Sequence, residues 1–399
     1  MKRQEERGKH RLSETAFALK GWPTHQRAGP CRGTLSNMKT NIPAARRSAE
    51  GLADRPGRAT IETISKVVGV SPSTVSRALK GDTRISDRRR NAIVAAAEDL
   101  GYFPNANARS LATRRSGLIG LVTGDFSNPF FSELLTEMVR KTSERGQRLM
   151  MLHMGAEAPS EATIEALLSY QMDGCIISSA TLSSRAAEIC HKHSVPLVMI
   201  NRVPRLHGSA VSCNNFDGSR LLVRLLVATG HRRIAVIAGT PNASTSEDRI
   251  GGALAALAEA GLGALDHKKG PSSYERGFVA ATELMTAPVR PDAIFAVNDI
   301  TAMGVVDAVR QLGFDVPGDV SVTGFDNIRD AARPPYALTT IAQPVGAMVQ
   351  RALDILDLRM RDPHSAGEQS YIEGDLIVRK SVALGEGFDL TQFLASLEG

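Results

Sequence analysis

The sequence predicts an α/β protein in two parts, a small helical head and a larger body of two parallel-sheet units, and three observations carry that prediction. Residues 60–100 break into three short amphipathic helices punctuated by Gly and Ser. From Gly117 onward, short apolar runs alternate with helical periods, the pattern of parallel strands joined by crossover helices. The charge is also divided. Residues 1–58 carry 13 Lys+Arg against 5 Asp+Glu and residues 59–116 carry 10 against 5, whereas the remainder carries 25 against 32. Positive charge gathered at one end, in a chain of net charge +6, is expected where phosphate contacts supply most of the binding free energy.

The first helix is predicted to start at Thr60, whose hydroxyl caps the next turn, and to run from Ile61 to Val68 with Ile61, Ile64 and Val68 on one face. Gly69 ends it, because a residue without a Cβ takes the left-handed conformation cheaply, and Val70 returns to the core. Ser71 then caps a second helix with Pro72 at its first position. Val75, Ala78 and Leu79 point inward, which leaves Ser73, Thr74, Ser76 and Arg77 outward. A turn this short sets the second helix at a steep angle, so that it can enter the major groove while the first crosses the backbone. Small hydroxyl residues let it approach phosphate and base edges, and Arg77 can donate a bidentate pair to guanine. Ser86 is expected to cap a third helix through Leu100, with Ile93, Val94, Ala97 and Leu100 inward and Arg88, Arg89 and Arg90 near its start.

GVSPSTVSRALKG and GYFPNANARSLATRRSGLIGLV resemble the recognition helix and the hinge of the LacI/GalR family of bacterial transcriptional regulators. The resemblance continues through DFSNPFF at Asp125, GHRRIAVIAG at Gly230, PDAIFAVNDITAMG at Pro291, DVSVTGFDN at Asp319 and LTTIAQP at Leu338, covering roughly residues 59 to 384. It implies an α/β chain with a three-helix helix-turn-helix DNA-binding domain (59–104), a hinge helix and linker (105–116), and a periplasmic-binding-protein-like effector and dimerisation domain (117–385). A basic, disordered extension (1–58) precedes these and a C-terminal tail (386–399) follows. The resemblance begins only at Ala59, so translation is expected to start at Met38, with the first 37 residues an over-long gene prediction; a basic arm on DNA is the competing expectation.

In the hinge, Asn105 can cap a helix running to Ala112, too short to be stable until it docks. By resemblance Leu111 is the wedge that enters the minor groove beside its dimer mate, with Asn105 and Arg109 among the DNA-contacting residues. In the body, GLIGLVT, RLMMLHM, GCIISS and PLVMI read as buried strands, with helices beginning near Pro129, Pro159 and Ser183. RIAVIAG, AIFAVN and VSVTGF form a second series, with helices beginning near Thr245, Ser272 and Asp299. Two such series mean two Rossmann-like subdomains. The resemblance joins them by three crossing strands, the last following Gln343, and puts an effector in the cleft between them, as open α/β sheets bind ligands beyond the carboxyl ends of their strands.

The candidate effector residues therefore lie at strand ends and first turns: Asp125, Asn128, Phe130, Asn201, Thr245, Arg249 and Asp299. Carboxylates and amides pair with hydroxyls, Arg249 offers a planar fork, and Phe130 can pack on a sugar face. The positions of Arg249 and Asp299 contact effector in sugar- and purine-responsive members; Asp299 is also a candidate N-cap. Two features depart from the family pattern beside the cleft: Asn214-Asn215 stands where the family often has Asp-Asn, and residues 261–274 run short, without a clear strand.

Other chemistries are poorly supported. Gly117, Gly120 and Gly124 do not match the dinucleotide fingerprint. His191 and His193 form a lone H-x-H at a helix end, and no catalytic, metal or cofactor site can be assembled. Cys31, Cys175, Cys190 and Cys213 lack disulfide or metal spacing, as in a reducing cytoplasm. No stretch approaches the ~20 apolar residues of a membrane helix, and no apolar signal core follows the N-terminal charges. The expectation is a non-enzymatic, cytoplasmic repressor, homodimeric or tetrameric, that binds palindromic double-stranded operator DNA under control of a sugar or sugar acid. The rival is a periplasmic-type sugar-binding protein with no DNA function.

Overall fold

The computed structural model describes residues 59–103, 115–124, 126–153, 169–178, 190, 192–203, 208–362 and 365–396. The expected extension, the hinge helix and the helices near Pro159 and Ser183 lie outside the described residues. The chain divides into two compact units, one ending at Tyr102 and the other beginning at Phe103.

In the first unit, α1 (Ile61–Val68), α2 (Pro72–Leu79) and α3 (Asp87–Asp99) enclose a core of Ile64, Val75, Ala78, Ile93 and Ala97. Gly69 takes the left-handed conformation (φ 69°) that ends α1. Two expectations for α3 need correcting. Ser86 occupies the cap position without a side-chain hydrogen bond, and Val94 lies on the solvent side, 36% exposed. Thirteen residues in a three-helix unit this small turn only part of their circumference inward, and Ile93 and Ala97 fill that stripe.

The second unit holds two sheets. In the first, six parallel strands run in the order β11 (Gln369–Ile372), β5 (Ser209–Cys213), β4 (Leu197–Ile200), β3 (Gly174–Ile177), β1 (Leu118–Thr123) and β2 (Arg148–His153). In the second, four parallel strands run β7 (His267–Lys268), β6 (Ile234–Ile237), β8 (Ala293–Ala296) and β9 (Ser321–Thr323). A two-stranded antiparallel ribbon pairs β10 (Thr340–Ala342) with β12 (Asp375–Ile377). β7 supplies the strand that residues 261–274 seemed to omit; two residues are too few to show an alternating or apolar pattern.

The described helices of this unit are α4 (Phe130–Glu144), α5 (Asn215–Ala228), α6 (Ser244–Glu259), α7 (Tyr274–Thr286), α8 (Asp299–Gln311), α9 (Val345–Arg361) and α10 (Leu390–Ala395). Helices α7 and α8 approach until a Cβ on Gly277 would lie 2.1 Å from the Thr301 carbonyl oxygen, and one on Gly304 2.1 Å from that of Tyr274. Only glycine fits at these two positions. The chain passes between the sheets after β5, after Gln343, where α9 returns to pack on β3, β4 and β5, and after β11. The last passage thus follows Ile372 rather than Gln343.

Candidate functional site

In the first unit the outward face of α2 is held by local hydroxyl bonds. Thr60 and Thr63 cap α1 reciprocally, each hydroxyl accepting from the other's backbone N–H at 3.2 and 3.3 Å. The Ser71 hydroxyl accepts from Thr74 N–H (3.2 Å) and lies 2.9 Å from Ser73 Oγ and 2.8 Å from Thr74 Oγ1. Pro72 stands at the first helical position, and no acidic residue occupies the first turn. The amino end of the helix, where backbone N–H groups and the macrodipole favour an anion, is therefore unscreened. Ser76 is half-buried, whereas Arg77 is exposed and donates from its Nε to the Ser73 carbonyl at 3.3 Å. Arg90 has an internal role: it donates to Asp87 and to the carbonyls of Asp82 and Ile85. Asn105, Arg109 and Leu111 lie outside the described residues.

In the second unit a cavity of about 360 Å³ is lined from both sheets. Five of the expected residues meet there with few surprises: Asn128, Phe130, Asn201, Thr245 and Arg249 all line it. They arrive because strands β1, β4 and β6 end on the same side, as parallel crossovers require. Asn201 takes φ 57°, is 5% exposed, and leaves its Oδ1 without a partner among the described residues. Asp125 lies outside the described residues.

At the floor of the cleft, Arg249 donates from Nε to Asn215 Oδ1 (2.7 Å) and from Nη1 to the Val297 carbonyl (2.9 Å), and its Nη2 pairs with Asp326 Oδ1 at 3.0 Å. Its guanidinium carbon sits 3.8 Å from the centroid of the Phe325 ring. Asp326 in turn accepts from Gln343 Nε2 at 2.7 Å and, across the cleft, from Asn128 Nδ2 at 3.2 Å. A second link across the cleft joins Arg202 Nη1 to Thr245 Oγ1, beside Val203 N–H donating to Ser244 Oγ at 3.1 Å. Desolvation, with Arg249 adding to it, pushes the pKa of Arg202 down to about 10.

One expected residue is placed differently. Asp299 is fully buried and does not line the cavity: its carboxylate accepts from Thr340 Oγ1 (2.7 Å) and Ile328 N–H (2.9 Å). Asn298, not Asp299, is the N-cap of α8 and accepts from Thr301 N–H. Burial first, and Asp326 second, raise the Asp299 carboxyl to about 7. Phe130 touches the cavity but is 1% exposed and belongs to the core; Phe131, half-buried beside it, also lines the cavity.

Asp326 and Arg202 are cleft residues beyond those expected from the sequence. Both were within reach of the same rule, since Asp326 follows β9 and Arg202 lies one residue beyond Asn201. The left-handed backbone of Asp326 and Asn327 (φ 118° and 56°), which turns the carboxylate into the cleft, has no sequence signal short of the fold itself.

The helix-turn-helix segment matches the bacterial regulatory proteins of the lacI family over residues 60–105, and residues 223–382 match a periplasmic binding protein-like domain. The chain is 33% identical over 311 residues to the ribose operon repressor of Escherichia coli (strain K12), covering 76% of this chain and 94% of that one. It is 30% identical to the HTH-type transcriptional repressor PurR of Edwardsiella ictaluri, covering 83% and 99%. Among solved structures it resembles the lac repressor dimer bound to operator and the anti-inducer ONPF, with a TM-score of 0.75, 26% identity, and coverage of 82% of this chain and 100% of that one. With a hydroxyl-capped reading helix, a cleft lined from two parallel sheets, and relatives matched over nearly their whole length, the chain belongs to the lacI family of bacterial regulatory proteins, DNA-binding transcriptional repressors under effector control.

Proposed function

We propose that this repressor binds an imperfect palindromic operator as a homodimer, and that a sugar or sugar acid in the cleft sets its grip. The observation that carries the reading is the cavity at the carboxyl ends of both sheets, lined by buried polar side chains and spanned by side-chain bonds such as Asn128 to Asp326 and Arg202 to Thr245. Relatives of known name point the same way: one is a ribose operon repressor, and a solved regulator of this fold is a CelR-cellobiose complex.

In this reading Thr60, Ser71, Pro72, Ser73, Thr74 and Ser76 approach phosphate and base edges while Arg77 reads guanine. Asn105, Arg109 and Leu111 form the docked hinge. Residues 59–104, 105–116 and 117–385 act as head, hinge and effector domain in the cytoplasm, and no reaction is assigned to the chain. Pairing two heads makes the second half-site contact intramolecular. Ligand weakens DNA binding only through its differential affinity for two body conformations, and DNA weakens ligand by the same factor, about 5- to 150-fold for a coupling of about 1–3 kcal/mol. Asn128, Asn201, Thr245 and Arg249 supply the polar lining that distinguishes those conformations.

A thermal-shift screen of sugars, sugar acids and nucleobases, followed by operator titration with each hit, tests this. A compound that raises the unfolding temperature and changes operator affinity is the expected result. Operator binding indifferent to every stabilising compound would refute it.

A further inference from the structure

Among the described residues the cleft lining holds a cation, Arg202, that has no carboxylate of its own. The guanidinium of Arg202 lies against the first turn of α6, donating to Thr245 Oγ1, and its buried Nε has no partner among the described residues. That turn opens a 16-residue helix capped by Ala243 with no side-chain bond, so Arg202 stands at the positive end of its macrodipole, where Glu247 is the acidic residue of the first turn. The nearest lining carboxylate, Asp326, already serves Arg249, Gln343 and Asn128. Glu247 and Asp248, on the same helix, do not line the cavity. Among the described residues the lining therefore holds two arginines against one carboxylate. A charge taken partly out of water in such surroundings is costly until an opposite charge arrives. Asn201 Oδ1, also lining the cavity and also without a partner, asks for a hydroxyl or amide donor.

We propose that the effector is a polyhydroxylated anion, its carboxylate or phosphate docking on Arg202 and the first turn of α6 while a hydroxyl donates to Asn201. This rests on the cleft being the effector site and narrows the ligand class. Two side chains that differ in what they lack, one an anion and the other a donor, select a molecule offering both.

The test uses the full-length protein and matched pairs: ribose with ribose 5-phosphate, and glucose with gluconate and glucose 6-phosphate, with inorganic phosphate alone as the anion control. Thermal shift and calorimetry should show an anionic member binding at least about tenfold tighter than its neutral partner. Its affinity should fall as salt rises. Preference for gluconate or for the phosphates separates the two anion types. Arg202→Gln should remove the advantage of the anion, and Arg202→Lys should retain part of it; if the Gln variant fails to fold, the salt dependence and the Lys variant still decide. A neutral sugar bound more tightly than its anion, with affinity unchanged in Arg202→Gln, overturns the proposal and leaves the cleft as the effector site. No binding by any member of either series overturns both.

Discussion

The reading helix and the cleft solve opposite problems with the same kinds of side chain. On α2 the polar groups are mostly exposed and bonded within a turn: Ser71 to Ser73 and Thr74, Arg77 to Ser73. In the cleft they are buried or half-buried and bonded across long stretches of chain: Asn128 to Asp326, Arg202 to Thr245, Arg249 to Asn215. The exposed set can be altered one residue at a time, because water replaces any lost partner. The buried set cannot, because a lost partner leaves a desolvated charge or amide behind. One surface is therefore free to specialise on sequence, while the other fixes the shape of the body.

The largest effect should come from breaking the buried pair. Arg249→Ala leaves Asp326 uncompensated and should destabilise the second unit by about 3–5 kcal/mol in urea unfolding. A loss below about 1 kcal/mol, the range of an exposed pair, would erase the contrast. Next comes Asp299, whose carboxyl burial raises to about 7 from 3.8. Between those values the folded state keeps a proton that the unfolded state releases, so stability falls as pH rises through the window, by at most roughly 1.4 kcal/mol per pH unit. Urea midpoints from pH 4 to 7 should therefore decline more in the native protein than in Asp299→Asn; parallel curves would show that the carboxyl is ionised throughout.

On the exposed side, Arg77→Ala should cost about 1–3 kcal/mol at the cognate half-site and relax base preference there, read by binding-site selection. Unchanged specificity would move base reading elsewhere on the helix. Smallest, Ser71→Ala should cost about 1 kcal/mol of head stability through the lost cap. Thermal unfolding of that variant should leave the transition of the second unit unmoved.

The same contrast explains what could be read in advance. Local rules located the helices of the head almost to the residue, since Thr60, Gly69, Ser71 and Pro72 act on their own neighbours. They erred at Val94, where tertiary packing decides which stripe faces in. For the body, alternation gave the strands, and the strand-end rule gave Asn128, Asn201, Thr245 and Arg249. It could not distinguish Asp299, turned inward to Thr340 and Ile328, from Asp326, turned outward by a left-handed backbone. That difference is set by segments more than twenty residues apart, which no window of sequence contains. The two-residue β7 escaped notice for a related reason: its partner, β6, defines it.

The ion pair between Arg249 and Asp326 ties Asn215, just past the first passage between the sheets, to Gln343, just before the second. The pivot on which the body would swing and the floor on which a ligand would rest are thus one set of atoms. Descendants of this repressor that acquire a new effector have little freedom at that floor, because any change there also stiffens or frees the swing. Their room to diverge lies at Asn201, whose side-chain oxygen has no partner among the described residues and takes no part in that knot.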